Sequence, residues 1–447
     1  PIIHHKLRVI YLHRRKKLKC VLKIKNLSSD FILNRMMALH PKVIDLTLDR
    51  VWRLLDSLGN PQNNLPKVIH IAGTNGKGST LSMLRAGLNQ IGLKTHAYTS
   101  PHLVRFHERI QLNDNFIDEN DLTEILNECY SANKDRPITY FEITTCAAIL
   151  AMSRKYADYV LLEVGLGGRL DATNVIAHPA LTVITPVSID HEQFLGNTVK
   201  KIAAEKAGII KPFCPIIIGK QDKNALQVIT EKALEQKAPI LAEGQQWRIK
   251  QTGDSILYED QTTTIELPLP NLLGTHQIQN AGIAIAALTQ LTGRKEAFYG
   301  AVSKAKWPAR MQKLSTGPIL ATLGHSDVWL DGGHNPAAGK ALANYLSTQN
   351  KKQIVLICGM LKTKDVAGYL SPLSNLVKFL AAVSIPNEQN TLTADETAKS
   401  ATELGINSKS FTSISEGVQF VANQFPDCRV LICGSLYLAG QILGENQ

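Results

Sequence analysis

Short, mostly apolar runs alternate along this chain with longer stretches in which apolar residues recur every three or four positions. The short runs lie at 68–72, 94–99, 159–163, 180–186 and 215–219. The helical patterns lie at 31–58, with interruptions at Pro41 and at 44–46, and at 80–91, 118–132, 142–155 and 199–208. Buried strands separated by helices are typical of a parallel sheet covered on both faces. The pattern therefore predicts an α/β fold with a doubly wound parallel sheet.

The pattern changes twice in the second half of the chain. Residues 240–270 alternate polar and apolar positions and are rich in Thr, which predicts a small antiparallel β insertion before an Ala-rich helix at 279–291. After the linker at 307–310, a second strand–helix series begins, with strands predicted at 328–331, 354–359, 379–385 and 430–434. This second series predicts a smaller Rossmann-like α/β domain.

Composition narrows the class of protein. The chain has 447 residues, of which 44% are apolar, so it is long enough for two to four globular domains. It holds no run of eighteen apolar residues, so no membrane partner is expected. Its seven cysteines are scattered without a C-x-x-C pair, which favours free thiols in the cytoplasm over disulfides or a zinc site.

Most of the excess positive charge lies at the amino end. Residues 1–27 hold nine Lys or Arg and no acid, so subtracting nine from the formal net charge of +11 leaves +2 for the rest. A general nucleic-acid surface is therefore not expected. Three interpretations of the basic segment stand: a dispensable, disordered extension over 1–30, a transit peptide that would direct the protein to mitochondria, or a segment that contacts RNA or lipid.

The segment 69–80 carries the strongest chemical signal. Gly73, Gly76, Lys77 and Gly78 lie between the first predicted strand and a helix. Glycines let backbone N–H groups approach an anion, and the helix N-terminus and the lysine add positive charge. The segment predicts a phosphate-binding loop, although the spacing differs from the common G-x-x-x-x-G-K-[ST] pattern.

Polar residues follow the ends of other predicted strands. Glu163 ends an apolar strand and precedes a glycine-rich stretch, which favours a Mg²⁺ ligand over a solvated carboxylate. His191 follows a second strand end and is also predicted to bind metal. Ser100 before Pro101 is equally compatible with a turn cap and a metal ligand.

Two further segments keep their alternatives open. Glu205 and Lys206 are adjacent on a predicted helix, a pattern typical of a solvated face. The segment 331–336 opens the first strand-to-helix turn of the second series and crowds Asp, His and Asn there. It is compatible with ligand binding or with loop capping.

Together these segments resemble the Mur-ligase superfamily and, within it, the folylpolyglutamate synthase/dihydrofolate synthase family. The resemblance runs from residue 39 to residue 433 and is carried by 73–79, 99–102, 139–142, 163–174, 190–191, 205–209, 308–310 and 331–336. The long 163–174 segment is the most specific. Gly78 separates this branch from the cell-wall ligases, in which Ser or Thr follows the lysine directly. Gly332-Gly333 is a departure, since many relatives carry a bulkier residue there.

The resemblance implies an ATP-binding central domain over 31–307, a C-terminal glutamate-ligase domain over 308–447, and the following site residues. Lys77, Lys206 and His334 would be catalytic, with Lys206 carbamylated. ATP would be held by Thr74, Asn75, Gly76, Lys77, Gly78, Ser79, Asn280, Arg310 and Asp331. Mg²⁺, as one or two ions, would be held by Ser100, Glu163 and His191. The pterin side would be bound by Ile44, Asp45, Leu46, Thr139, Tyr140, Phe141, Glu142, Leu170, Asp171 and Ala172.

The implied reaction is an ATP-dependent amide ligation that joins L-glutamate to dihydropteroate, to reduced folates, or to both, through an acyl phosphate. The expected partners are these small molecules, and the enzyme is expected to be a monomer. The alternatives are another Mur-type amide ligase of the cell-wall class and a non-catalytic nucleotide-binding module.

Overall fold

The computed structural model describes residues 28–40, 46–349 and 352–446. The basic segment 1–27 and the predicted substrate residues Ile44 and Asp45 lie outside the described residues. The chain divides into two compact units, one formed by Pro1–Leu65 and Ile117–Lys155, the other by Pro66–Phe116 and Tyr156–Gln447. No helix among the described residues is long and apolar enough to cross a bilayer.

The helices and strands alternate, as the apolar pattern predicts. The helices are α1 (Ser29–Met37), α2 (Asp49–Ser57), α3 (Lys77–Gln90), α4 (Glu119–Asn133), α5 (Tyr140–Ser153), α6 (Glu192–Leu195), α7 (Val199–Ala207), α8 (Lys223–Glu235), α9 (Thr275–Leu291), α10 (Lys295–Lys304), α11 (Pro318–Leu323), α12 (Pro336–Leu346), α13 (Val366–Leu370), α14 (Ala394–Glu403), α15 (Ile414–Gln424) and α16 (Leu436–Glu445).

The strands are β1 (Lys67–Ala72), β2 (Thr95–Tyr98), β3 (Ile110–Leu112), β4 (Asn115–Phe116), β5 (Tyr159–Glu163), β6 (Leu181–Ile184), β7 (Ile216–Ile218), β8 (Ile240–Ala242), β9 (Trp247–Thr252), β10 (Ser255–Asp260), β11 (Thr264–Pro268), β12 (Gln312–Lys313), β13 (Asp327–Leu330), β14 (Ile354–Cys358), β15 (Val377–Ala382), β16 (Ser408–Ser410) and β17 (Arg429–Cys433).

The first unit is helical and contains α1, α2, α4 and α5. Glu119 at the start of α4 accepts hydrogen bonds from the backbone N–H and the hydroxyl of Ser29 at 2.7 and 2.9 Å. Arg50 of α2 donates two bonds to the carboxylate of Glu142 in α5, at 2.9 and 2.8 Å. Both sides of this ion pair are largely buried, so it fixes α2 against α5.

The second unit is built around an eight-stranded sheet with the order β4-β3-β2-β5-β1-β6-β7-β8. Six neighbouring strands, β2, β5, β1, β6, β7 and β8, run parallel. Strands β3 and β4 form an antiparallel hairpin at one edge of this sheet. The predicted doubly wound parallel sheet is confirmed. Because β2, β5, β1 and β6 are neighbours and parallel, the loops that follow them meet at one edge of the sheet.

A three-stranded antiparallel sheet, β11-β10-β9, follows β8 as the sequence predicts. It packs on α9 through Trp247, whose ring stacks on Tyr258 with centroids 6.2 Å apart. A Cβ on Gly282 of α9 would lie 2.7 Å from Trp247, so this helix needs glycine where the insertion crosses it.

A six-stranded sheet with the order β12-β13-β17-β14-β15-β16 forms the rest of the second unit. All its pairs are parallel except β12 with β13. The predicted Rossmann-like series is confirmed. The linker at 305–311 lies between the last helix of the first series and this sheet, although the predicted domain boundary at 308 stays a prediction.

Candidate active site

The predicted phosphate loop connects β1 to α3. Gly76 has a left-handed backbone with φ of 86°, and the side-chain amide of Asn280 occupies the space that a Cβ would need. The backbone N–H groups of Thr74 and Asn75 donate to the carbonyl of Pro186, after β6. The loop is therefore a fixed turn at the N-terminus of a fourteen-residue helix, which suits an anion.

Lys77 places a cation on this loop. Its Nζ donates to the carbonyls of Gly73 and Thr74, at 3.2 Å each. Carbonyls of the loop therefore hold the ammonium beside the backbone N–H groups that would meet a phosphate. A lysine in this position acts as a point charge on phosphate oxygens.

A cavity of about 450 Å³ opens on the loop. It brings together all of the residues predicted to bind ATP or metal or to be catalytic, namely Thr74, Asn75, Gly76, Lys77, Gly78, Ser79, Ser100, Glu163, His191, Lys206, Asn280, Arg310, Asp331 and His334. Leu436, the first residue of α16, also lines it. Both sheets of the second unit thus contribute to one cavity, at the edge where α/β sheets bind ligands.

Glu163 is the last residue of β5 and is only 5% exposed. Its carboxylate accepts a long hydrogen bond, at 3.3 Å, from the backbone N–H of Ser100. Burial raises the pKa of Glu163, and the cations Lys77 and Arg310 oppose that rise. A buried carboxylate with so little hydrogen bonding, open to a cavity, has the chemistry of a ligand for a hard cation.

His191 and Ser100 complete the predicted metal set. His191 follows Asp190 with a left-handed φ of 54°. Burial lowers its pKa to about 4, and Asp190 opposes this, so the imidazole is neutral near pH 7 and has a lone pair for a metal. Among the described residues, no cluster of three or more His, Cys, Asp or Glu could hold a metal by itself. A hydroxyl and substrate oxygens fit the remaining positions of a Mg²⁺ site.

Asp190 joins the loops of the two sheets. Lys364 donates to its Oδ1 at 2.7 Å, and Asn335 donates to its Oδ2 at 3.1 Å. Burial would raise the pKa of Asp190, but His191 and Lys364 outweigh burial and hold that pKa well below its usual range. Asn335 also donates to the Asn75 side chain of the phosphate loop, at 3.0 Å.

Lys206 lies in the last turn of α7 and is 5% exposed. Burial, aided by Lys77, lowers its pKa to about 7, while Asp190 and Asp171 oppose the change. The amine therefore titrates close to neutral pH, where the neutral form is populated. A neutral amine is nucleophilic, as the predicted carbamylation requires.

The glycine-rich loop after β5 fixes the end of α7. Asn174 donates to the carbonyls of Arg169 and Gly208, at 2.9 and 3.2 Å. Arg169 pairs with Glu205 at 2.9 Å. The Glu205-Lys206 pair is therefore not a simple solvated face, since Glu205 contacts the loop and Lys206 lines the cavity.

The second sheet supplies Arg310, Asp331 and His334. Asp331 accepts backbone N–H bonds from Met311 and Gly333, at 2.9 and 2.8 Å. His334 Nδ1 lies 2.9 Å from the carbonyl of Gly332, so this nitrogen carries the proton and Nε2 presents its lone pair. Burial lowers the pKa of His334 to about 4. The loop is both capped and directed into the cavity.

The predicted pterin-side residues lie in both compact units. Thr139 is the N-cap of α5, and Glu142 is bound by Arg50 and by the Thr139 N–H. Asp171 accepts four bonds from Gly165, Leu166 and Thr173 within its own loop. Tyr140, Phe141, Leu170 and Ala172 are neighbours of these residues in the sequence, and Leu46 lies shortly before α2. Their substrate contacts stay predictions.

Sequence reasoning missed several residues in and beside the cavity. Lys364 contacts Asp190, which lines the cavity, from 174 residues away along the chain. His276 and Gln277 at the start of α9 also line the cavity. Asn335, which also contacts Asp190, lies in the 331–336 segment that the sequence did single out, and its position as the helix N-cap before Pro336 agrees with the capping alternative.

Comparisons with known proteins fit this arrangement. The family model for the Mur ligase middle domain matches residues 71–288, and the model for the dihydrofolate synthetase C-terminal domain matches 321–445. The dihydrofolate synthase/folylpolyglutamate synthase of Bacillus subtilis is 33% identical over 88% of this chain and 94% of its own length. The chain belongs to the dihydrofolate synthase/folylpolyglutamate synthase family.

Other relatives agree. The Escherichia coli dihydrofolate synthase/folylpolyglutamate synthase is 33% identical over 92% of this chain and 94% of its own. The solved structure of E. coli FolC in complex with DHPP and ADP has a TM-score of 0.84, at 32% identity, over 94% of this chain and 97% of its own. Members of the family are ATP-dependent ligases that add glutamate in folate metabolism, and the predicted enzyme class is confirmed.

A further solved relative is described with Mn, AMPPNP and L-glutamate bound. This bifunctional folylpolyglutamate synthase/dihydrofolate synthase has a TM-score of 0.83 and 28% identity, over 94% of this chain and 98% of its own. The family is the folate branch, not the cell-wall branch that stood as the alternative.

Proposed function

We propose that this enzyme joins L-glutamate to dihydropteroate, to reduced folates, or to both, using ATP and Mg²⁺. The observation that carries the proposal is the single cavity lined by Lys77, Glu163, Lys206, Arg310 and His334. Relatives of the same fold are described with DHPP, adenine nucleotides, Mn and L-glutamate, which are the classes of ligand that the reaction needs.

The chemistry has two steps. The substrate carboxylate attacks the γ-phosphorus of ATP, the bond to the bridging oxygen breaks, and an acyl phosphate and ADP form. The amine of glutamate then attacks the acyl carbon, phosphate leaves, and the amine loses its proton. Lys77 and the loop N–H groups stabilise charge on the transferred phosphoryl group.

Glu163, His191 and Ser100 are the proposed Mg²⁺ ligands. A bound Mg²⁺ supplies charge neutralisation to the phosphoryl oxygens. Lys206 is proposed to add CO₂ at its neutral amine, with loss of a proton, which turns it into an anionic carbamate able to serve one or two ions. The buried carboxylate and the neutral imidazole support this donor set.

The remaining roles are assigned by resemblance. Asn280, Arg310 and Asp331 are proposed to hold ATP with the loop 74–79, and His334 is proposed to act beside the incoming glutamate. The segments 44–46, 139–142 and 170–172 are proposed to bind the pterin side. A central domain over 31–307, a C-terminal domain over 308–447, a monomeric state and a cytoplasmic location complete the proposal. The six described cysteines, all free and buried, support the last point.

The test is ADP release measured separately with dihydropteroate, with a reduced folate, and with neither, in the presence of ATP, Mg²⁺ and L-glutamate. Glutamate-dependent release with at least one acceptor is expected. Release with both acceptors would establish a bifunctional enzyme. If neither dihydropteroate nor the reduced folate supports glutamate-dependent release, the proposal is overturned.

A further inference from the structure

The backbone conformation at position 78 does not require glycine. It is the second residue of α3, and its φ lies outside the left-handed range that favours glycine. Alanine is the better helix former by about 1 kcal/mol. Backbone conformation therefore gives no reason for glycine here, in contrast to Gly76 two residues earlier.

The reason is a neighbouring side chain. A Cβ on Gly78 would lie 2.6 Å from Cε2 and Cζ2 of Trp307 and 2.7 Å from its Nε1. The edge of the indole that carries the nitrogen thus rests directly on the backbone of the phosphate loop's helix. Any larger side chain at position 78 must displace the indole, because that edge is rigid and contacts the helix directly.

Trp307 belongs to a linker that is fixed at both ends. On one side, the hydroxyl of Ser82 in α3 donates to the Lys306 carbonyl at 2.8 Å. On the other side, Gly332 N–H donates to the Ala309 carbonyl at 2.9 Å. Ala309 and Met311, which flank Arg310, both have left-handed φ values, 54° and 42°. A shift of the indole would therefore be passed to Arg310 three residues later.

We propose that Gly78, which has no Cβ, leaves room for the indole of Trp307 to pack on α3. Trp307 is then a positioning residue that holds Arg310 and the second sheet against the phosphate loop. The inference deepens the proposed function and rests on nucleotide binding at this loop. It explains the glycine after Lys77 by a contact with the linker, not by the approach of a phosphate.

The test is a double-mutant cycle with Gly78→Ala, Trp307→Ala and the two combined. The measurements are ADP affinity by calorimetry, KM for ATP against kcat, and the melting temperature. Gly78→Ala alone is expected to weaken ADP binding and raise KM for ATP at least tenfold, with a smaller change in kcat. In the Trp307→Ala background the same substitution is expected to change ADP affinity less than twofold.

Gly417→Ala is the matched control. Gly417 also lies in a helix, α15, but a new Cβ there would be 3.5 Å from its nearest neighbour, a methyl carbon of Val383. This substitution should therefore leave the melting temperature and the ADP affinity unchanged. If Gly78→Ala fails to fold, a double variant that folds supports the proposed contact between Gly78 and Trp307, and a double variant that does not fold contradicts it. An equal loss of ADP affinity in both backgrounds overturns the inference and leaves the proposed function standing. Failure of the unmutated enzyme to bind ADP overturns the proposed function instead.

Discussion

At the scale of single residues, the cavity depends on ionisable groups that burial has altered. Glu163 and Lys206 are buried and His334 is half-buried, and desolvation moves their pKa values toward the neutral form. Desolvation also lowers the pKa of His191, although its side chain is 44% exposed. The Nζ of Lys77 donates to two loop carbonyls beside these groups. The cavity therefore brings the Glu163 carboxylate, the imidazoles of His191 and His334, and the ammonium of Lys77 to the place where a phosphate and its metal are proposed to bind.

Lys77→Ala should reduce turnover by at least about a hundredfold, because it removes the charge nearest the transferred phosphoryl group. The fold should survive, since the side chain contacts only loop carbonyls. ADP release and the melting temperature measure the two effects. Lys295→Ala, at an exposed lysine of α10, is the control and should change neither. Near-normal ligation by Lys77→Ala would contradict the assignment of the loop.

Carbamylation of Lys206 should depend on pH and on CO₂. Its pKa of about 7 means that a proton blocks the amine below pH 7 and leaves it free above. Activity in CO₂-depleted buffer should therefore fall, more steeply at pH 6 than at pH 8, and bicarbonate should restore it. A carbon-13 carbamate signal under labelled CO₂ reports the adduct directly. Full activity without CO₂, together with no such signal, would refute the modification.

At the scale of elements, the apolar pattern predicted most strands because they are buried on both faces. Tyr159–Glu163 was predicted with its observed bounds. The hairpin of β3 and β4 was missed, since each strand has two or three residues and mixed polarity. Helix α3 begins at Lys77 and not at 80, because the loop residues themselves form its first turn. Contacts such as Asp190–Lys364 left no sequence signal, since their partners lie 174 residues apart.

Arg50→Ala should lower the free energy of unfolding by about 2–3 kcal/mol, because it leaves the buried Glu142 carboxylate without its cation. Denaturant unfolding followed by circular dichroism measures the loss. Arg154→Ala is the control, since it breaks an exposed pair with Glu128 and should cost no more than about 0.5 kcal/mol. Equal effects of the two substitutions would show that Arg50–Glu142 does not fix α2 against α5.

At the scale of the second unit, polar side chains of the second sheet's loops join the loops of the first sheet. Asn335 reaches the phosphate loop through Asn75, and Lys364 reaches Asp190 beside His191. Neither sheet alone supplies both the phosphate loop and the Asp331–Asn335 loop. The cavity therefore exists only where the two sheets are held together.

Lys364→Met should lower kcat/KM about tenfold and reduce the melting temperature, because it leaves the largely buried Asp190 carboxylate beside His191 without its lysine partner. Lys362→Met, at an exposed lysine two residues earlier, is the control and should leave kcat/KM and the melting temperature unchanged. Lys364→Arg should recover part of the activity by restoring the charge. An unchanged kcat/KM in Lys364→Met would show that the ion pair does not support the site.

Leu436, the residue that begins α16, also lines the cavity on the phosphate loop. The candidate active site is thus unfinished until the ribosome has translated past position 436, well beyond the 331–336 segment. A nonsense mutation between codons 337 and 436 should therefore yield a protein that does not release ADP, although the segments 73–79, 163–174 and 331–336 all lie upstream of it.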